Sequence, residues 1–388
     1  MAVELAYVLV NPYIIAKSRT GGVISRIVSR TGLDLVAARM FGPGRELVEQ
    51  YAELIRTAPD LPAEESEIIA RHVRENYGPD SRTGRRRRVM MLLFEGEDAI
   101  AKIRSAVGSL RKLTTSGETV RDTFGDLIYD ENNQIRYVEP AVTISRTPET
   151  TRAVLALWSK FSATDGGLID DADDIEVGED IQRTLVIIKP DNFRFPSSRP
   201  GNIIDLFSAS GLRIIGVKVH RMSVAEGEEF YGPVQEVLRQ KLKEPSAQRA
   251  TAALKEAFGF TLPDDVKVKL GELVGPCFGD EQFYQIIEFM TGVRPTEVKP
   301  EDKGKPGTSR CLVLIYKGKN AVEKIRKILG PTDPSKAGPG SVRKEYGKDI
   351  MINAAHASDS PENAAREMKI VKPEQDTITP WFEKYYTN

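Results

Sequence analysis

Short apolar runs alternate with amphipathic stretches along the chain, and the two patterns predict different elements. Residues 185–188 and 312–316 are apolar almost throughout, which favours buried strands. In residues 321–329 and 361–369 apolar positions recur every three or four residues, which favours helices. Strands and helices therefore follow one another through each half of the chain. This order predicts a two-layer α/β sandwich in each half.

The second half of the chain repeats the first. EGEDAIAKIRSAVG at residues 95–108 matches KGKNAVEKIRKILG at 317–330, an offset of 222. At the same offset, SGETVRDTFG at 116–125 matches GPGSVRKEYG at 338–347. A fixed spacing of this kind indicates two copies of one structural unit.

The offset changes towards the ends of the copies. It is 178 between residues 6–27 and 184–206, and 213 between residues 145–158 and 357–370. The second copy has therefore gained about 44 residues, and the first about nine near its end. We place the larger gain near 234–280, a stretch rich in Lys, Glu, Ala and Leu that is typical of added helices.

An acidic segment lies between the copies. Residues 165–180 hold eight acids, no bases and three glycines, the composition of a solvated linker. The predicted organisation is a first domain at 1–160, a linker at 161–181 and a second domain at 182–388. The basic run Arg85–Arg88 is likewise expected to be a solvated loop.

Composition excludes several classes of protein. Hydrophobic residues make up 40% of 388, which suits globular domains. The 55 Lys and Arg against 56 Asp and Glu give a net charge of -1, so nucleic acid and membranes are not expected as partners. No basic leader or long apolar run is present, and two cysteines with three histidines make no ordinary zinc site. We expect a cytoplasmic protein.

His356 is the first candidate for chemistry. It follows an apolar run at 349–355 and precedes a predicted helix, in which Ser360 is a natural N-cap. A helix start attracts anions, so a phosphate beside His356 would be stabilised. Glu367 lies eleven residues further on and could bind one imidazole nitrogen, leaving the other as a nucleophile.

Scattered cations and donors could complete a phosphate site. Lys189 ends a strand and precedes Pro190, which keeps it extended. Arg326 and Arg343 offer guanidinium groups that suit phosphoryl oxygens. Three further donors are Thr332, Tyr231 and Asn353. The chain has no GxxxxGK[ST] loop and no strand-linked GxGxxG, so a nucleotide site would depend on such side chains.

Together, TLVIIKPD, EKIRKILGPTDP, GPGSVRKEYG and NAAHASDSPENAAREM resemble the nucleoside diphosphate kinase family. Counted from Arg326, the Thr, Arg, Asn and His of the family fall on Thr332, Arg343, Asn353 and His356 without gaps. The resemblance implies an α+β fold of two tandem ferredoxin-like sandwiches with antiparallel sheets, the second with a helical insertion. It also implies ping-pong transfer of a γ-phosphoryl group between nucleoside triphosphates, including ATP, and nucleoside diphosphates.

The resemblance implies roles for individual residues as well. His356 would carry the phosphoryl group, and Ser358 and Glu367 would orient its ring. The nucleotide would be bound by six residues: Lys189, Tyr231, Arg326, Thr332, Arg343 and Asn353. Mg²⁺ would enter bound to the nucleotide, with few direct protein ligands. The residue that stacks on the base stays open between Gln282, Phe283 and Tyr284.

The first copy lacks most of these residues. The places of the lysine, threonine, asparagine and histidine are taken by Asn11, Leu110, Pro140 and Thr143. It retains Arg104, Arg121 and Tyr51. We expect a degenerate, inactive domain that packs on the second as an intramolecular pseudo-dimer, with homo-oligomer formation left open.

Two alternatives stand beside this interpretation. The insertion could prevent turnover and make the chain a nucleotide-binding regulatory or scaffolding protein. Alternatively, Arg85–Arg88 could bind nucleic acid, although the near-neutral charge of the chain argues against it.

Overall fold

The computed structural model describes residues 3–110, 117–132, 134–175, 177–178 and 180–387. Contacts group the chain into two compact units. The first unit comprises residues 1–220 and 312–388, and the second comprises residues 221–311. Among the described helices, none combines the length and apolar character needed to span a bilayer.

The first repeat is built on a four-stranded antiparallel sheet. Its strands are β1 (Val3–Val10), β2 (Asp34–Phe41), β3 (Val89–Glu97) and, after a separate hairpin of β4 (Asp126–Tyr129) and β5 (Ile135–Glu139), β6 (Val142–Ile144). The order across the sheet is β2-β3-β1-β6. Its helices are α1 (Pro12–Ala16), α2 (Thr20–Thr31), α3 (Arg45–Arg56), α4 (Ala63–Asn76), α5 (Ala99–Val107), α6 (Val120–Phe124), α7 (Pro148–Lys160) and α8 (Ser162–Asp165).

The second repeat has the same architecture. Its strands are β7 (Ile181–Ile188), β8 (Arg213–His220), β9 (Cys311–Lys319) and β10 (Ala355–Ala357), in the order β10-β7-β9-β8. Its helices are α9 (Arg199–Ser208) and, after the second unit, α13 (Ala321–Leu329), α14 (Val342–Tyr346), α15 (Pro361–Val371) and α16 (Thr379–Tyr386). Short 3-10 turns lie at Pro190–Asn192 and Pro334–Lys336.

The pairing of the strands shows the repeat directly. Val3 lies opposite Glu97 in the first sheet, and Ile181 lies opposite Lys319 in the second. The sequence offsets of 178 and 222 therefore recur in the register of the two sheets. The predicted α+β fold of two tandem ferredoxin-like sandwiches is confirmed, and the β4–β5 hairpin lies where the first copy was expected to be longer.

The second unit contains three long helices. They are α10 (Val224–Lys241), α11 (Lys243–Phe258) and α12 (Asp264–Thr291), followed by 3-10 turns at Pro295–Glu297 and Pro300–Asp302. Three glycines on one face of α12, Gly271, Gly275 and Gly279, lie against the backbones of Lys243 and Arg239. A Cβ at any of the three would collide with these backbones, so the glycines allow the helices to pack closely. The helical insertion predicted for the second repeat is therefore present, and its helices extend from Val224 to Thr291.

The two repeats pack on each other through their α2 and α9 helices and their β2 and β8 edge strands. Gly21 of α2 and Gly201 of α9 meet backbone to backbone, where a side chain on either would clash. Near the C-terminus, Ile378 is fully buried in the core of the first repeat, and Lys384 of α16 binds Glu95 with an Nζ–Oε1 distance of 2.8 Å. The two repeats therefore share one packed body.

The acidic segment between the repeats is packed in its first part, up to Ile175, whereas residues 177, 178 and 180 are exposed. Ile169 and Ala172 are fully buried, and Ala172 forms a bridge with Arg86. The acids pair with the basic run: Arg86 with Asp171, Arg87 with Asp173 and Arg88 with Asp174. The expectation of solvated segments is therefore wrong for the basic run and for the first part of the acidic segment, because each supplies the opposite charge that the other requires.

Candidate functional site

The fourth strand of the second repeat carries His356. This strand, β10, pairs antiparallel with β7 and places His356 opposite Ile187. It begins only at Ala355, so residues 349–354 of the apolar run form a bend that leads into the strand. Ala354 has φ 69°, a left-handed conformation that reverses the chain just before the strand.

The His356 ring is held by a buried carboxylate. Its Nε2 lies 2.9 Å from Oε2 of Glu367, and the Ser358 hydroxyl donates to the same oxygen at 2.6 Å. Glu367 is 6% exposed and His356 is 22% exposed. Because an ionised carboxylate can only accept, Nε2 carries the proton of the neutral ring and Nδ1 carries the lone pair. The structure therefore brings His356, Ser358 and Glu367 together.

Helix α15 begins beside this histidine. The Ser360 hydroxyl accepts the backbone N–H of Asn363 at 3.1 Å, and Pro361 is the first helical residue, as predicted. Glu367 lies on the buried face of this helix, about two turns from its start. The cap holds the first turn of α15 in place. Because Glu367 belongs to the same helix, its position relative to His356 is held as well.

Lys189 lies at the end of β7 and is almost fully buried. Its ammonium donates to Asn353 Oδ1 at 2.7 Å and to the Met351 carbonyl at 3.1 Å. Burial lowers the pKa of Lys189 to about 8, and the nearby Arg343 charge acts in the same direction. A lysine with this pKa is mostly charged at pH 7 but starts to lose its charge just above neutral pH.

Arg343 and Asn353 tie the surrounding loops together. The guanidinium of Arg343 donates to the Gly330 carbonyl at 3.0 Å and to the Ala355 carbonyl at 3.2 Å. Asn353 Nδ2 donates to the Thr332 carbonyl at 3.2 Å. Lys189, Asn353 and Thr332 therefore belong to one connected network, in which Thr332 takes part through its backbone and has an exposed side chain. Arg343 joins it through Ala355, whose backbone N–H donates to the Asn353 carbonyl at 2.8 Å.

Two further predicted site residues, Arg326 and Tyr231, lie on helices α13 and α10. Arg326 is exposed on α13, and its charge helps the Asn363 hydrogen bond to hold the pKa of Asp359 below its usual value. Tyr231 belongs to the second unit, on α10, where its ring lies 4.9 Å from that of Phe230. The candidate base-stacking residues at 282–284 also belong to the second unit, on α12. The assigned roles of Tyr231 and of these three residues stay predictions.

Sequence reasoning missed the residues that brace the end of β7. Asn192 Nδ2 donates to the carbonyls of Lys189, at 3.1 Å, and Ala354, at 2.8 Å. Its Oδ1 accepts from Arg199, which also donates to the Tyr346 carbonyl at 2.7 Å. These bonds join the segments that carry Lys189, His356 and Arg343. No pattern in the sequence marks Asn192, because its function depends on contacts between distant segments.

The first repeat aligns structurally with this site. Thr143 lies opposite Leu9 on β1, as His356 lies opposite Ile187 on β7, and Asn11 follows β1 as Lys189 follows β7. The substitutions expected from the sequence, Asn11 for the lysine and Thr143 for the histidine, therefore hold in the structure. Leu110 lies in the hydrophobic core of the first repeat.

Buried side chains of the first repeat fill the corresponding pocket. Six of them form one hydrogen-bonded network: Asn11, Tyr51, His72, Tyr77, Glu139 and Thr143. Thr143 Oγ1 lies 2.8 Å from Tyr51 Oη, and Tyr77 donates to Asn11 Oδ1 at 2.6 Å. Burial lowers the pKa of His72 to about 4, so this ring is neutral at pH 7. A phosphate could enter only by displacing these groups.

The first repeat retains two arginines, Arg121 and Arg104, at the positions of Arg343 and Arg326. Arg121 is buried and donates to the Gly108 and Val142 carbonyls, the counterparts of the two carbonyls that Arg343 binds. Arg104 is exposed and donates to the carbonyl of Arg146 at 3.4 Å. In the first repeat, Arg121 therefore has a structural function.

Comparisons with known proteins agree with this geometry. A family model described as nucleoside diphosphate kinase matches residues 305–377. A nucleoside diphosphate kinase of Bdellovibrio bacteriovorus is 30% identical over 190 residues, which cover 49% of this chain and 92% of the relative. One from Sulfurisphaera tokodaii is 31% identical over 200 residues, covering 52% and 95%. One from Pyrobaculum aerophilum is 29% identical over 208 residues, covering 51% and 98%. The chain belongs to the nucleoside diphosphate kinase family, as a tandem-repeat form whose second repeat retains the family motifs and whose first repeat has lost them.

Proposed function

We propose that the chain is a nucleoside diphosphate kinase that transfers a γ-phosphoryl group through phosphohistidine at His356. The observation that carries the proposal is the hydrogen bond between His356 Nε2 and the buried Glu367 carboxylate. This bond fixes the tautomer in which Nδ1 is the nucleophile. Lys189 and Arg343 supply positive charge in the same repeat, where the phosphoryl group needs it.

In the first half-reaction, the Nδ1 lone pair attacks the γ-phosphorus of a nucleoside triphosphate. The new N–P bond forms as the bond from that phosphorus to the β–γ bridging oxygen breaks, and the diphosphate leaves with that oxygen. The Nε2 proton stays on the ring, and Glu367 stabilises the positive charge that the ring gains. A second nucleoside diphosphate reverses the sequence and removes the phosphoryl group.

Charge stabilisation is the main contribution of the remaining residues. The transferred group spreads its charge over three equatorial oxygens, so fixed cations lower the barrier. We assign this task to Lys189, Arg326 and Arg343, and we assign binding of the sugar and phosphates to Thr332, Asn353 and Tyr231. Ser358 orients Glu367 through their 2.6 Å hydrogen bond.

We treat Mg²⁺ as part of the nucleotide substrate. In the described part of the chain, no group of three or more His, Cys, Asp or Glu side chains could hold a metal ion. The site offers cations instead, which suit a nucleotide whose own phosphates bind the Mg²⁺. The ion would neutralise phosphate charge, while Lys189 and the two arginines would position the γ-phosphoryl group.

We propose an inactive, supporting role for the first repeat. It packs on α9 and β8, and we propose that it takes the place of a second subunit within one chain. We keep 1–160, 161–181 and 182–388 as the proposed degenerate domain, linker and catalytic domain, and a cytoplasmic location stays a prediction. A fragment of residues 182–388 that is monomeric and fully active would remove the supporting role.

A labelling experiment tests the function. The protein is incubated with γ-labelled ATP and Mg²⁺, separated from nucleotide and then given unlabelled GDP. We expect acid-labile label on the protein that passes to GDP, with His356→Ala losing at least about 10⁴-fold in rate because no nucleophile remains. Thr143→Ala, the matched change in the first repeat, leaves labelling intact. Nucleotide binding without label would instead support a regulatory or scaffolding protein.

A further inference from the structure

A buried carboxylate lies next to the proposed phosphate site. Asp191 is two residues beyond Lys189, in the 3-10 turn Pro190–Asn192, and its side chain is 5% exposed. Within the part of the chain that the structure describes, neither carboxylate oxygen accepts a hydrogen bond from another residue. A buried carboxylate without donors is costly, so its retention requires an explanation in the charges around it.

Three cations act on this carboxylate. The Arg199 guanidinium lies 3.8 Å from Asp191 Oδ2, and the charges of Lys189 and Arg194 also act on the group. Burial raises the pKa of Asp191, whereas these cations lower it. The Arg199 side chain is 40% exposed and also donates to Asn192 and the Tyr346 carbonyl, and Arg194 is exposed. Lys189 is thus the buried cation for which Asp191 provides a counter-charge.

We infer that Asp191 is a positioning residue that keeps Lys189 charged and thereby keeps the site able to bind phosphate. The inference rests on the proposed function, since it concerns how that site binds its substrate. Lys189 also faces Arg343, which disfavours its charge, and Asp349, which favours it. Without Asp191, a buried ammonium beside an arginine would lose its proton near neutral pH.

Asp349 is the weaker of the two counter-charges. It is exposed, and its Oδ1 already accepts the backbone N–H groups of Met351 and Ile352, at 2.9 Å and 2.7 Å. Water and these donors screen its charge, whereas the Asp191 oxygens are shielded from water. We therefore expect Asp191 to have a larger effect on Lys189 than Asp349 has.

The first repeat supports this assignment. At the offset of 178, Lys189 corresponds to Asn11 and Asp191 to Tyr13. The repeat that lacks the lysine thus also lacks the carboxylate. Asp191 is not needed to build the turn after the strand, because the first repeat makes the corresponding connection with Tyr13 in helix α1.

The pH profile of kcat/KM for phosphoryl transfer tests the inference. In the parent protein we expect an alkaline decline near the Lys189 pKa of about 8. Asp191→Asn has the same shape but no charge, and we expect it to move this decline about one pH unit lower, an activity loss of about fivefold at pH 8 and almost none at pH 6. Asp349→Asn should give a smaller shift. Asp205, in α9, is not among the charges that act on Lys189. Asp205→Asn is therefore the control, and it should leave the pH of the alkaline decline unchanged.

A second readout does not depend on activity. Lysine labelled with ¹³C at Cε is titrated by NMR, and the Lys189 signal is identified by its loss in Lys189→Arg. We expect a lower Lys189 pKa in Asp191→Asn than in the parent protein. An unchanged Lys189 pKa and an unchanged alkaline decline would overturn the inference. If the parent protein transfers no phosphate, the proposed function fails, and the NMR titration still decides the role of Asp191.

Discussion

The two repeats differ less in their backbones than in the pockets at the ends of their first strands. Both have the same strand order, and the residue before the fourth strand is left-handed in each, with φ 61° at Ala141 and 69° at Ala354. Each pocket has one arginine bound to backbone carbonyls, Arg121 or Arg343. Beside it, uncharged groups and one carboxylate fill the first pocket, whereas a lysine and a histidine line the second.

This difference separates residues that serve the fold from residues to which we assign the chemistry. Arg121 and Arg343 make equivalent bonds to backbone carbonyls, so their retention in both repeats is explained by structure. His356 and Lys189 have no counterpart of the same type, so the fold does not require them. Because the chain holds two copies, residues that support the fold can be distinguished from residues that we assign to phosphoryl transfer.

Among the substitutions that test this comparison of the two repeats, we expect the largest loss of activity at Glu367. The corresponding position of the first repeat, at the offset of 213, is Val154. We expect Glu367→Gln to lower kcat about 10²-fold with little change in KM, because an amide neither fixes the Nε2–H tautomer nor stabilises the charged ring. Quenched-flow measurement of His356 phosphorylation checks this. A rate within threefold of the parent would contradict the role given to the carboxylate.

Next in size is a paired substitution of the two arginines. Lysine at either position cannot bind both carbonyls, so Arg343→Lys and Arg121→Lys should each lower the free energy of unfolding by about 1–2 kcal/mol. Only Arg343→Lys should also slow phosphoryl transfer, by about tenfold to a hundredfold. Denaturant unfolding and steady-state assays on both variants check the pair. Equal loss of activity in both would break the comparison.

The smallest effect concerns the filled pocket. Tyr77→Phe removes the hydroxyl that donates to Asn11 Oδ1, leaving a buried amide oxygen with fewer donors. We expect a loss of about 1–2 kcal/mol in the free energy of unfolding and no change in the rate of transfer. Thermal unfolding measures the loss of stability, and transfer assays below the melting temperature measure the rate of the folded variant. A slower transfer by the folded variant would show that the first pocket takes part in the reaction.

Much of the fold and site could be predicted because the information lies in local spacing. The offsets of 178 and 222 reflect strand register, and the segment from Arg326 to His356 contains its motif without gaps. The pairing of Arg88 with Asp174 could not be predicted, since each segment alone has the composition of a solvated loop. The importance of Asp191 and Asn192 likewise depends on burial and on contacts with distant segments.

The central claim is that one histidine per chain carries the phosphoryl group and that the first repeat carries none. Mass spectrometry of the intact protein, after brief exposure to ATP and Mg²⁺ at alkaline pH, measures how many phosphoryl groups each chain holds. Fragmentation of its peptides then locates them. We predict a single group, on His356. Two groups per chain, or one group on a residue of the first repeat, would contradict the account.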